Sequence, residues 1–404
     1  MSILIMNRSS HSKVPYEKWL ENIDDDIVLL TSSETKKGFG DSSYHLIEPF
    51  DNYEINSYVE IKALELNKIY NFTTIVAISE IDIIRSSELR EKFKIQGQGV
   101  NSSEVFRNKI KMKDFAQMNG IAVPEYMKVN NSFDILNFIN KNGYPVILKP
   151  IDGSGSIGIT VINNYTDLKE YLINGIPTNT MIECFINGDM YHIDGLLING
   201  QFIINWPSKY INGCIAFKEE KYLGSYMLEE SNPLTKRLKN FVGHVINKFP
   251  TPDNTAFHAE VFHTENDELL LCEIASRVGG GKINETLHEA FGLNIIEKWV
   301  QSQCSTGKQY DQELVPKKLV GFVLIPPKQA TYIDAPDKVP FEFVLESQIN
   351  KNFNHSYTGP KMSSDKIAAF VVTGKSEVEL KYNIQLVADW FDELSIWKSN
   401  VNSI

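Results

Sequence analysis

The chain has 404 residues, 42% of them hydrophobic, which suffices for two to four packed units with a large core. Its 40 Lys and Arg against 51 Asp and Glu give a net charge of -11 with no long basic run, arguing against nucleic acid or an anionic membrane as a partner. Cys184, Cys214, Cys272 and Cys304 lie far apart with no Cys-x-x-Cys spacing, so reduced, buried thiols are expected. The apolar run at residues 3–6 has no basic segment before it and is too short for a signal peptide or a membrane span, so the expected location is the cytoplasm.

Short apolar runs at 3–6, 27–31, 45–50 and 73–79 alternate with stretches suited to helices, such as 53–69. That alternation predicts βαβ units around a parallel sheet, a unit expected to wall a substrate site. No Gly-x-Gly-x-x-Gly follows the first run, so dinucleotide binding there is unsupported. A helical pattern over 80–90 is broken by Gln96-Gly97-Gln98-Gly99. Asn108 then reads as the cap of a helix over 109–119, with Met112, Phe115 and Ala116 on one face and Gly120 as its stop. Lys109, Lys111 and Lys113 cluster near its start; taken alone they read as a solvated face.

Residues 146–150 and 159–162 are β-rich runs on either side of Gly153-Ser154-Gly155-Ser156-Ile157-Gly158, which predicts a hairpin with a bare tip. Such a tip suits a polyanion. Its glycines let backbone N–H groups converge, Ser154 and Ser156 add donors, and Lys149 stands beside them as a charge. No Gly-Lys-Ser/Thr opens a helix, so this is not a P-loop; a mobile surface hairpin explains the loop alone equally well. A polar helix near 167–172, strands over 181–186 and 191–198, and tight turns at Asn187-Gly188-Asp189 and Asn199-Gly200 predict an antiparallel sheet. Helical spacing returns over 227–249 and ends at Pro250 and Pro252.

The second informative stretch is 257–277. With the turn centred on Asn266-Asp267, antiparallel pairing sets Glu260 opposite Glu273 on one face, and His258 opposite Ala275. Two carboxylates that close repel each other and call for a cation or a shared proton. Oxygen-only ligands suit Mg²⁺ or Mn²⁺. Arg277 continues this face, and Val278-Gly279-Gly280-Gly281-Lys282 then opens a helix over 284–291, offering backbone N–H groups beside an arginine as a second anion site, with a glycine hinge as the alternative. From 315 onward the pattern predicts an α+β unit without nameable chemistry, closed by a helix over 377–394 in which Trp390 and Phe391 are core.

Lys109, Lys149 with its glycine loop, Glu183, Glu260, Glu273 and Arg277 follow one another in the order and spacing of the ATP-grasp superfamily, and the sequence resembles its carboxylate-amine ligases, including the L-amino acid ligases. Arg107-Asn108-Lys109-Ile110-Lys111-Met112-Lys113, Val146-Ile147-Leu148-Lys149-Pro150 and Glu273-Ile274-Ala275-Ser276-Arg277 carry the match. The resemblance implies an ATP-grasp fold, α/β and α+β, multidomain: an N-terminal parallel α/β domain over 1–106, a small lobe over 107–190, a large lobe over 191–314 and a C-terminal α+β domain over 315–404. It implies that Lys109 and Lys149 contact ATP phosphates under the loop Gly153, Ser154, Gly155 and Ser156. Glu183 and the backbone of Cys184, Phe185 and Ile186 would hold the adenine, and Glu260 and Glu273 would bind Mg²⁺ or Mn²⁺. Lys149 and Arg277 would stabilise the transferring phosphoryl group and the oxyanion of an acyl phosphate attacked by an amine. Ala275 stands where the family usually has Asn, and Met190 where an acid is often found, with Asp189 one place early, which puts the second metal's shell and the ribose contact in question. The expected partners are a small carboxylic acid and an amine. Two alternatives are acyl transfer to a carrier-protein or coenzyme A thiol and a non-catalytic nucleotide-binding regulator. A homodimer stays open.

Overall fold

The computed structural model describes residues 2–40, 43–213, 216–305 and 310–399. The expected parallel sheet is present, with strands in the order Leu46–Phe50, Asp26–Ser32, Ser2–Asn7 and Thr74–Ala77. Its two central strands are apolar at nearly every position because both faces are covered. Leu4, Met6, Val28 and Leu30 enter one core with helix Tyr58–Tyr70, while Ile3, Ile5, Ile27 and Leu29 enter another. The glycine-rich break at 96–99 leads into a further helix, Val100–Arg107, and then into Lys109–Met118, whose cap Asn108 accepts hydrogen bonds from the Ile110 and Lys111 backbone.

A four-stranded antiparallel sheet follows, ordered Tyr126–Lys128, Thr180–Cys184, Val146–Pro150 and Thr160–Ile162. Val146 pairs with Ile162, so the glycine loop is the tip of the hairpin as read from sequence. The pleat sorts the side chains: Val146, Leu148 and Ile182 pack under helices Ser132–Asn142 and Tyr165–Ile173, and Ile147, Lys149 and Glu183 take the other face.

The largest sheet has eight antiparallel strands ordered Leu269–Ala275, Thr255–Thr264, Gly188–Ile198, Gln201–Ile211, Leu223–Met227, Leu319–Ile325, Ala368–Gly374 and Val344–Ile349. Two sequence readings differ here. Residues beyond 315 do not stand apart: Leu319–Ile325 bonds to Leu223–Met227, so the expected boundary cuts a continuous sheet. Met227 lies in that strand, and the helix expected from it begins at Pro233, capped by Asn232. Pairing on both sides overrides the local spacing. Helices Pro233–Lys248 and Glu377–Leu394 cover one face of the sheet, with Phe391 and Trp390 in that core, and Ile283–Phe291 and Ile295–Gln303 cover the other. Cys184, Cys272 and Cys304 are free thiols, and Cys214 lies outside the described residues. Among the described residues no helix is long and apolar enough to cross a membrane.

Candidate active site

Where the three units meet, a cavity of about 1040 Å³ opens. It is lined by Lys109, Lys149, Gly153 to Ile157, Glu183 to Ile186, Glu260, Glu273 and Arg277, so the residues to which the resemblance gives a nucleotide, metal or catalytic role border one space. The parallel sheet contributes Arg8, Ser9 and Ser10 after its first strand and Ser79 and Glu80 after its fourth, at the carboxyl ends where such sheets place their sites.

Glu260 pairs with Glu273 and His258 with Ala275, as expected, but the route differs. Thr264 N–H donates to Glu268 O, so the hairpin closes on a three-residue loop over 265–267, with Asp267 left-handed at φ +64°. That turn pairs Val261 with Leu271, which would carry Glu273 to the wrong face; a bulge at Cys272 restores it. Leu271 and Val261 point into the core, and Glu260 and Glu273 point into the cavity. Burial alone would raise the Glu273 carboxyl. Lys109, 3.1 Å away, and Lys149 override that and hold it down at about 2.

Both lysines are engaged. Lys109 Nζ also donates to Gly153 O at 2.6 Å, tying the helix start to the glycine loop. Lys149 donates to Glu183 Oε1 at 2.5 Å, a diagonal contact across neighbouring strands because Ile147 pairs with Glu183 and Lys149 with Met181. Burial opposes the charge on Lys149, and Glu183 raises its pKa nonetheless. The Glu183 carboxyl is lifted by burial and held below the usual range by Lys113 and Lys149. Glu183 therefore pairs with both lysines while bordering the same cavity as Cys184, Phe185 and Ile186.

Lys113 corrects a further reading. It is fully buried, 3.2 Å from Glu183 Oε2, and donates to Cys272 O at 3.0 Å, while Lys111 is the solvated one and pairs with Glu104. The signal was in the spacing. Residues 109, 113 and 116 share a helical face with Met112, and 111 does not.

Arg277 pairs with Glu80, which also pairs with Arg107, and Arg107 donates to Asp152 O at 2.9 Å. Burial would raise the Glu80 carboxyl, and Arg277 and Arg107 together lower it. Sequence reading missed Glu80; its position just after an apolar run in a parallel sheet was the available signal. The loop tip carries Gly155 and Ser156 at φ +62° and +59°, and Gly155 O accepts from Ser363 N–H at 3.0 Å, so the C-terminal region also borders the site. Behind Glu260 lies a buried chain: Ser225 Oγ with His192 Nε2 at 2.5 Å, His192 Nδ1 with Asp194 Oδ2 at 2.5 Å, Asp194 Oδ1 with His258 Nδ1 at 2.8 Å, and His258 Nε2 3.6 Å from Glu260 Oε1. Burial opposes charge on His258, but Asp194 raises it to about 9. Gly279 covers this chain closely, since a Cβ there would meet His258 Nδ1 at 2.7 Å.

The family model of the ATP-grasp domain matches residues 142–285. An L-arginine-specific L-amino acid ligase of Bacillus subtilis is 30% identical over 58% of this chain and 58% of its own length. The alanine–anticapsin ligase of Bacillus subtilis is 24% identical over 69% of this chain and 63% of its own. The match thus spans less than two thirds of either relative. An L-amino acid ligase structure from Bacillus licheniformis superposes with a TM-score of 0.78 at 16% identity, covering 99% of both chains, and the fold is the ATP-grasp fold.

Proposed function

We propose that this chain, which has the ATP-grasp fold and carries its domain, is an ATP-dependent carboxylate-amine ligase that joins an amino acid to an amine and releases ADP and phosphate. The observation that carries this reading is the convergence of Lys109, Lys149, Glu260, Glu273 and Arg277 on one cavity under a glycine hairpin. A carboxylate resists attack by an amine because oxide would have to leave; phosphorylation turns that oxygen into a good leaving group.

On this reading Lys109 and Lys149 exchange their present carboxylate and carbonyl partners for phosphate oxygens, and the hairpin closes over them. Cys184, Phe185 and Ile186 border the adenine end, and Glu183 acts by holding Lys149. Glu260 and Glu273 fit Mg²⁺ or Mn²⁺: they are paired carboxylates on one face with oxygen donors only, and Glu273 stays ionised. Held by these two carboxylates, a divalent ion would supply charge neutralisation for phosphoryl transfer. Arg277, oriented by Glu80, meets the acyl phosphate and then the oxyanion formed by the attacking amine. The parallel unit walls the substrate end, and the loops after its strands set which amino acid enters.

The test is a phosphate-release screen of amino acids, singly and in pairs, with ATP and Mg²⁺, with hydroxylamine as a trap in a parallel set. The reading expects release with at least one pair and a hydroxamate from its acid member. Nucleotide binding without release or hydroxamate for any acid contradicts it.

A further inference from the structure

We propose that Lys113 is a positioning residue of this site, with one buried ammonium loosening the hold of Glu183 on the phosphate-facing Lys149 and orienting the metal-facing carboxylate of Glu273. The inference rests on the ligase reading above and adds a residue to it. Lys113 belongs to helix Lys109–Met118, whose apolar face packs in the large-lobe core through Met112 and Ala116. From there its side chain reaches two other elements. Its ammonium is 3.2 Å from Glu183 Oε2 on the small-lobe sheet and 3.0 Å from Cys272 O on the large sheet, and it lies 5.9 Å from the centre of the Tyr126 ring.

Each contact has a consequence one residue further on. Glu183 holds Lys149 through its other oxygen, so Lys113 shares that carboxylate and limits how strongly it retains Lys149. A carboxylate between two ammonium groups releases either to a phosphate more readily than one paired with a single lysine. Cys272 is the bulged residue that turns Glu273 into the cavity, and Lys113 is the side chain that donates to its carbonyl. A bulge leaves its extra residue outside the ladder, so an external donor fixes its orientation. Lys113 thus also ties the small lobe to the large one at the cavity.

The experiment compares wild type, Lys113→Met, Glu183→Gln and the pair, measuring binding of a fluorescent ATP analogue as a function of Mg²⁺, with circular dichroism and melting as folding controls. In Lys113→Met, nucleotide affinity falls by about tenfold or more, the scale of a lost charge-assisted contact, and the Mg²⁺ needed for half-saturation rises. In the pair, affinity recovers relative to Lys113→Met because Lys149 is freed from the carboxylate, while the Mg²⁺ requirement stays raised because Cys272 O still lacks its donor. A merely structural residue does not produce that split. An unmoved Mg²⁺ requirement in folded Lys113→Met, or losses that simply add in the pair, overturns the inference and leaves the ligase reading standing. If the wild-type chain binds no nucleotide, both are overturned. If Lys113→Met alone does not fold, the pair carries the test through its Mg²⁺ requirement. If the pair does not fold either, Lys113 only holds the fold together and the inference is overturned.

Discussion

Replacing Asp194 by Asn gives a sharp test of the buried chain behind Glu260. Asp194 is 3% exposed and accepts from two imidazoles, at 2.5 Å and 2.8 Å. Its partner His258 is held at about 9 against an ordinary value of 6.5. At 1.36 kcal/mol per tenfold, that gap corresponds to about 3 kcal/mol of folding stability. The sign follows from which state binds the proton more tightly. His258 is raised in the folded chain, so the contribution is fully present below pH 6.5 and is lost as pH rises through 9. The Asp194 carboxyl is lifted by burial and pulled well below its ordinary range by His258 and His192, which describes the same interaction from its other side and is not added. The assay is urea unfolding in chelator at several pH values, read beside an imidazole NMR titration. Asp194→Asn should be less stable than wild type by about 2–3 kcal/mol at pH 6, with the difference shrinking toward pH 9 and the His258 titration moving down. A difference independent of pH, or an unmoved His258, refutes the reasoning.

Three further outcomes follow from the same structure. Glu273→Gln should lose activity while keeping the wild-type circular dichroism, since its carboxyl faces the cavity and not the core, and should melt lower at pH 7 because the carboxylate paired with Lys109 is gone; near-normal turnover would refute its place in the metal pair. Asp82, fully buried beside Tyr53 and Arg85, is raised by burial to about 6, so the stability it contributes is present below its ordinary 3.8 and lost as pH rises through 6. Asp82→Asn should therefore gain roughly 2–3 kcal/mol on wild type at pH 7 relative to pH 4, and a fall at pH 7 would contradict this. The Cys272 thiol is pushed up to about 12 by burial, so it should resist iodoacetamide in the native chain at pH 8 and react only after unfolding, as mass spectrometry would show; rapid native labelling would contradict its burial.

The hairpins were legible because period-two alternation and turn residues are local signals: residues 146–162 form the expected hairpin, and in the second hairpin His258 and Glu260 meet Ala275 and Glu273 as the sequence indicates. Glu260 and Glu273 were legible as a pair, though counting from the wrong turn centre succeeded only because the Cys272 bulge adds back the residue that the three-residue loop removes. The continuity of the eight-stranded sheet was not legible. Leu223–Met227 and Leu319–Ile325 are neighbours across nearly a hundred residues, and nothing in either strand encodes its partner. Lys113 and Glu80 were missed because a charged residue's burial depends on partners that only the assembled units supply.

The most direct measurement is the fate of one oxygen. An amino acid that passes the phosphate-release screen is supplied with ¹⁸O in its carboxylate, with its amine partner, ATP and Mg²⁺, and the released phosphate is analysed by mass spectrometry. Activation through an acyl phosphate moves one labelled oxygen into inorganic phosphate for each amide bond formed. Label appearing in AMP, or phosphate free of label while product accumulates, contradicts the account.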